Sequence, residues 1–247
     1  MGLRMPEVIS ACLFDLDGVL TETAVLHAAA WKQAFDELLA ACSPATGGGF
    51  VPFDPVADYD EYVDGRPRLD GTRAFLRSRG IDLPEGTAED APGTETVHGV
   101  ANRKNELVLS MMNARGVEAY PGSRRFLAEV RRHALSTAVV SSSANAEAVL
   151  RAAGLEGLFD VRVDGAVAEH AHLAGKPSPD TYLEAARRLE VAPRAAAVFE
   201  DALAGVEAGR AGGFGLVVGV DRVGQREELV AHGADVVVAD LAELIEQ

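Results

Sequence analysis

An α/β domain on a parallel sheet, interrupted near its start by a helical insertion, is the architecture this sequence predicts. Three observations carry that expectation. From Tyr120 to the end of the chain, short apolar runs alternate with helical patterns. Near-continuous apolar runs of that kind belong to parallel strands covered on both faces. One similar run stands apart, at residues 8–14, and stops abruptly at Asp15, Asp17 and Gly18. Between Thr23 and Gly116 no strand pattern occurs. The expected organisation is therefore an α/β core of residues 1–22 and 118–247, with residues 23–117 inserted after the first strand as a helical block.

Taken in order, residues 8–14 read as a buried strand ending in a turn. Residues 24–40 have helical spacing, apolar at Leu26, Ala30, Trp31, Phe35 and Leu38. The stretch 43–58 is rich in Gly and Pro and is expected to be irregular. Helices resume over 70–79 and 95–115. Beyond Tyr120, helix 123–133 leads to strand 137–140, helix 146–153 to strand 161–163, and helix 180–189 to strand 196–199. Helix 202–211 then leads to strand 216–218 and segment 227–232 to strand 236–238, and residues 241–246 close the chain. The core is thus a Rossmann-like parallel sheet flanked by helices, and 247 residues are enough for it and a smaller insertion.

Composition narrows the function. Hydrophobic residues make up 48% and charged residues 25%, ordinary for a globular chain. The net charge of −15 repels nucleic-acid backbones. No apolar run approaches the roughly 18–20 residues of a membrane span, and residues 1–10 lack the pattern of a signal peptide. Cytoplasmic residence is the expectation, with no nucleic acid, no membrane and no protein partner implied. Cys12 and Cys42 form no metal-binding pair or cluster; Cys12, inside the first apolar run, reads as a small buried hydrophobe. So acidic a chain also repels phosphorylated metabolites, so any phosphate site must be made locally positive by a metal or by placed Lys and Arg.

Ligands of open α/β sheets bind beyond the carboxyl ends of the strands. Three such ends carry polar clusters: Asp15 and Asp17 after the first strand, Ser141-Ser142-Ser143 with Asn145 after the second, and Glu200-Asp201 after Phe199. Singly these are weak signals, since Asp-Gly is a common turn and Glu200-Asp201 could cap a helix. Together, three or four carboxylates at one sheet edge require a cation, and magnesium, a hard ion that takes oxygen ligands, suits them. Lys176, in Gly175-Lys176-Pro177-Ser178-Pro179-Asp180, supplies a fixed positive charge that could neutralise both a nucleophile and a transferring phosphoryl group. The serine cluster precedes a helix, where hydroxyls and backbone N–H groups form an anion site; Ser143 could equally serve as its N-cap.

As a set, these motifs resemble the haloacid dehalogenase superfamily over essentially the whole chain: Phe14-Asp15-Leu16-Asp17-Gly18-Val19-Leu20-Thr21, Val140-Ser141-Ser142, Gly175-Lys176-Pro177 and Phe199-Glu200-Asp201-Ala202, in that order. Thr23, His27 and Trp31, with Ser141-x-Ser143-x-Asn145, are similar to the β-phosphoglucomutase branch. The resemblance implies that Asp15 attacks phosphorus and becomes an aspartyl phosphate, and that Asp17 is the general acid and base. It implies magnesium held by Asp15, the Asp17 backbone carbonyl and Asp201, with Glu200 a direct or outer ligand, and phosphoryl oxygens bound by Ser141 and Lys176. An aspartate at position 17 argues against the dehalogenase members. The cap of that branch places substrate residues where this chain has Arg66, Arg68 and Lys104; the two arginines read equally as solvated surface. His27 divides in the same way between substrate contact and packed helical residue, while Trp31 reads as core.

Other patterns fail on spacing. Gly47-Gly48-Gly49 lacks the Gly-Lys-Ser/Thr of a phosphate loop, Gly213-Phe214-Gly215 precedes a strand instead of following one, and Asp58, Asp60 and Asp64 miss the calcium-loop register. Three functions stay open: a phosphatase acting on a small sugar phosphate, a β-phosphoglucomutase-type sugar phosphomutase, and a non-catalytic binding module that kept the fold. The residues favour the phosphatase narrowly. A mutase needs a strong second phosphate site, and the branch has lysines where this chain has Asp64 and Ala144.

Overall fold

The computed structural model describes residues 2–46 and 51–246, and for residues 43–46 the backbone only. The glycine run 47–49 lies outside the described residues. The chain divides into two compact units, Met1–Glu22 with Val117–Gln247, and Thr23–Gly116.

The first unit is built on a six-stranded sheet: β1 (Ala11–Phe14), β2 (Ser136–Val140), β3 (Val161–Val163), β4 (Ala196–Glu200), β5 (Leu216–Val220) and β6 (Val236–Val238). All neighbours run parallel in the order β3-β2-β1-β4-β5-β6. The order reverses at β1, which therefore lies between β2 and β4, and the motif-bearing strand ends fall side by side. Phe14 is level with Val139 and Phe199, so Asp15 emerges beside Glu200.

The apolar strands are buried on both faces because each face carries its own core. Ala11 and Leu13 alternate onto a cluster with Tyr182, Ala185, Ala186, Val206 and Val217. Phe14 faces the other way, stacked on Phe199 at 4.7 Å between ring centroids, with Phe126 edge-on at 6.1 Å. Aromatic pairs of this kind add about 0.5–1.5 kcal/mol each beyond burial, which stiffens the sheet directly beneath Asp15. Cys12 is fully buried in β1, and burial pushes its thiol pKa up.

The second unit is helical, with no strand among its described residues. It comprises α1 (Ala24–Thr46), a π-helical turn (Tyr59–Val63), α2 (Arg68–Ser78) and α3 (Val97–Arg115). Trp31, Phe35, Phe53, Phe75, Val97 and Val100 form its core, and Trp31 is buried there as its spacing predicts. The Arg103 guanidinium ties α3 to α1 through two bonds to Glu37, at 2.8 and 2.9 Å. The helix expected over 24–40 continues to Thr46, so the stretch expected to be irregular from 43 begins helical. Asp58, from the failed calcium pattern, pairs instead with Arg79.

In the first unit the helices are α4 (Pro121–Arg132), α5 (Ala146–Ala152), α6 (Gly165–His170), α7 (Asp180–Arg188), α8 (Leu203–Ala211) and α9 (Arg226–Ala231). Helix α6 has no counterpart in the sequence reading. It is short, has no buried residue, and starts where the Asp164 carboxylate accepts the Val167 N–H at 3.0 Å. The segment after β6 is a 3-10 turn, Leu241–Leu244. No helix among the described residues is long and apolar enough to cross a membrane.

Candidate active site

The sheet edge at β1 and β4 gathers a buried acidic group around one lysine. Asp15 leaves β1 with its N–H donated to the Phe199 carbonyl at 2.9 Å, so the ladder continues one residue past the strand and fixes the carboxylate. Oxygens of Asp15, Glu200 and Asp201 lie within 4.8 Å of one another. Lys176, only 2% exposed, donates to Oδ1 of Asp15 at 2.5 Å and also to Oε1 of Glu200. The Lys176–Pro177 peptide is cis.

Burial pushes the Asp15 carboxyl pKa up, the charges of Glu200 and Asp17 push the same way, and Lys176 pulls it down without reversing the direction. For Lys176, burial works to lower the pKa, but Asp15 and Glu200 outweigh it and hold the ammonium above the ordinary lysine value. One lysine among these carboxylates leaves the site short of positive charge. The shortfall and the all-oxygen donor set together fit a magnesium ion.

Glycines make the close approach possible. Gly18 has φ +88°, and a methyl group on it would meet Asp201 Oδ2 at 1.7 Å. Gly205, on the first turns of α8, leaves room for Glu200 Oε1, which a methyl group would likewise approach to 1.7 Å. Glu200 is fully buried and well supplied with donors: the Tyr182 hydroxyl at 2.9 Å on Oε1, and the Ala202 N–H at 3.1 Å on Oε2, besides Lys176. Tyr182 is a participant the sequence reading missed. The available signal was a phenol on the apolar face of α7, because a buried tyrosine hydroxyl finds a partner.

After β2 the chain turns through the serine cluster. Ser141 is buried, and its Oγ accepts the Ser143 N–H at 3.1 Å, which leaves the hydroxyl proton to donate. The Ser143 Oγ accepts the Asn145 N–H at 3.1 Å. Ser143 therefore shapes the turn before α5 and is not its N-cap, a position taken by Asn145 without a side-chain cap bond. Ser142, Ser143 and Asn145 are half-buried. Asp17, also half-buried, bridges to Thr21, while the Gly18 N–H donates to the Thr21 carbonyl at 2.8 Å.

The residues expected to contact substrate from the insertion lie in the helical unit. Lys104 is 5% exposed; its ammonium can only donate, so His27 Nδ1, at 3.0 Å, is the acceptor. The same ammonium lies 4.8 Å from the Trp31 ring centroid. The sequence singles out His27, Trp31 and Lys104 but carries no sign of their mutual contact. Arg66 and Arg68 are half-buried at the junction of the π-helical turn and α2, and Arg66 Nη2 reaches the Glu61 carbonyl at 3.5 Å.

The haloacid dehalogenase-like hydrolase model matches residues 9–213. The chain belongs to that family. Within it, the chain is similar to a β-phosphoglucomutase of Mycobacterium bovis, 54% identical over 246 residues that cover 98% of this chain and 94% of the other. A β-phosphoglucomutase of Bacillus subtilis is 31% identical, covering 96% and 92%. The crystal structure of a β-phosphoglucomutase from Clostridium difficile shares the fold with a TM-score of 0.73 at 26% identity, covering 96% of this chain and 93% of that one.

The acidic cluster leads to a measurable expectation. Asp201→Ala should raise the magnesium concentration needed for half-maximal activity by about tenfold or more. In the parent protein, a magnesium ion bound by the folded cluster and not by the unfolded chain would add about 2.7 kcal/mol to unfolding stability at 100 times its Kd. A melting temperature that is flat across a magnesium titration would remove the metal site.

Proposed function

We propose that the chain is a magnesium-dependent β-phosphoglucomutase, moving a phosphoryl group between the 1- and 6-oxygens of glucose through Asp15. One observation carries the reading over hydrolysis: the 54% identity to a β-phosphoglucomutase along almost the full length of both chains. It outweighs the leaning toward a phosphatase drawn from Asp64 and Ala144, which concerned two positions. The non-catalytic alternative is set aside because every residue type the chemistry needs is present in the sequence.

In this mechanism an Asp15 oxygen attacks phosphorus, and the bond from phosphorus to the sugar oxygen breaks. Asp17 delivers a proton to the departing oxygen. In the second transfer Asp17 takes the proton from the accepting hydroxyl, whose oxygen attacks the same phosphorus and releases the Asp15 carboxylate. Lys176 and Ser141 donate to the phosphoryl oxygens. Magnesium, when bound, neutralises developing charge on those oxygens; Asp15, Asp201 and the Asp17 carbonyl would hold it. Both Glu200 oxygens already accept hydrogen bonds, which suits Glu200 to an outer position that orients Lys176. In the helical cap, Arg66, Arg68 and Lys104 are the cations for the second phosphate, and His27 holds Lys104.

The test supplies β-glucose 1-phosphate, catalytic glucose 1,6-bisphosphate and magnesium. Glucose 6-phosphate should form much faster than free phosphate. Free phosphate as the main product would make the enzyme a sugar phosphatase.

A further inference from the structure

The segment after β5, Asp221 to Gln225, lies outside every motif that marked the site, yet it reaches two of them. Arg222 Nε donates to the Gly18 carbonyl at 2.8 Å, and Gln225 Nε2 donates to the Asp201 carbonyl at 2.9 Å. The segment is itself braced: the Asp221 carboxylate accepts the Gly224 and Gln225 N–H groups at 2.6 and 2.9 Å. Arg222 is anchored from two further directions, by Nη1 donating to the Ala239 carbonyl at 2.9 Å and by its guanidinium lying 3.7 Å from the Tyr120 ring centroid.

We propose that Arg222 and Gln225 are positioning residues that set the main chain of the metal-binding motifs, one for each strand end. Gly18 is the weak point of the first motif. It must lack a side chain because Asp201 occupies that space, and a glycine is the residue least able to hold its own backbone angles. Here its N–H is fastened to the Thr21 carbonyl and its C=O to Arg222. With both ends of Gly18 held, the preceding peptide, which carries the Asp17 carbonyl, has a fixed direction. Gln225 does the same for the peptide after Asp201, and so for the carboxylate that leaves that residue. Arg222 also carries a buried Nη2 with no hydrogen-bond partner among the described residues.

The inference rests on the magnesium-dependent reading of the Asp15 site, and its test separates the two. Magnesium binding would be measured by calorimetry without substrate on the parent, Arg222→Ala, Arg222→Lys and Gln225→Ala. Melting temperatures would be taken in EDTA and in saturating magnesium. Outer-sphere partners of a metal site typically contribute 10- to 100-fold in affinity. Arg222→Ala and Gln225→Ala should each weaken magnesium binding by about tenfold or more. Arg222→Lys, which keeps a donor for Gly18, should recover part of the loss. The KM for β-glucose 1-phosphate at saturating magnesium should stay near the parent value. A structural role alone would lower the melting temperature in EDTA and leave magnesium affinity unchanged, and that result overturns the inference. Should Arg222→Ala fail to fold, Gln225→Ala decides it by the same criterion. A parent protein that binds no magnesium overturns the reading of the site, and the inference with it.

Discussion

Asp15→Asn is expected to reduce turnover by about 10⁴-fold or more, the scale seen when a nucleophile that works as a unit with its partners is removed. The amide is nearly isosteric but offers no anionic oxygen to phosphorus. No phosphoryl group should remain on the protein after an acid quench. The fold should survive, because the substitution removes one of several crowded carboxylates while Lys176 keeps its bond to Glu200. Circular dichroism and the melting temperature in EDTA would check that. Substantial activity in the variant, with deamidation back to aspartate excluded by mass spectrometry, would take Asp15 out of the nucleophile's role.

Lys176→Met is expected to lower stability in EDTA by about 3–5 kcal/mol, the usual consequence of removing one partner from a buried ion pair. The loss arises less from the missing bonds than from what is left behind: Asp15 and Glu200, both buried, with no cation between them. Magnesium should therefore stabilise this variant more than it stabilises the parent, because the ion would relieve repulsion that Lys176 otherwise offsets. Urea unfolding with and without magnesium measures both quantities. A change within about 0.5 kcal/mol, as at ordinary surface positions, would show that Lys176 is not the charge that holds this cluster.

Much of the core could be read from the chain because parallel strands buried on both faces leave an unambiguous signature. Runs such as Ala196–Glu200 are apolar up to the last residue, a buried acid at the sheet edge. The acids at the ends of β1 and β4 stood out for the same reason, and the sheet order makes them neighbours. What could not be read were features decided across long separations. Arg222 and Gly18 are 204 residues apart, and Lys104 and His27 are 77 apart; periodicity assigns each residue to an element but not to a partner. Helix α6 escaped for a local reason, since an element with no buried residue has no apolar stripe to announce it. The end of α1 was placed too early because Ser43-Pro44 signals a break, and such signals locate the last turn only to within a few residues.

Two of the acids at the sheet edge are each matched to a glycine on another segment, Asp201 to Gly18 and Glu200 to Gly205, with a methyl group on either glycine falling 1.7 Å from a carboxylate oxygen. Each pair is a lock in sequence space. An alanine at 205 would be the better helix former by roughly 1 kcal/mol, yet that gain is closed to this chain while Glu200 stands where it does. Drift toward a smaller residue at 200 or 201 would open the glycine to substitution, and once it was filled the acid could not return by a single step. Loss of this chemistry along a lineage would thus be a ratchet, and the glycines, which touch no substrate, would keep the record of whether it had turned.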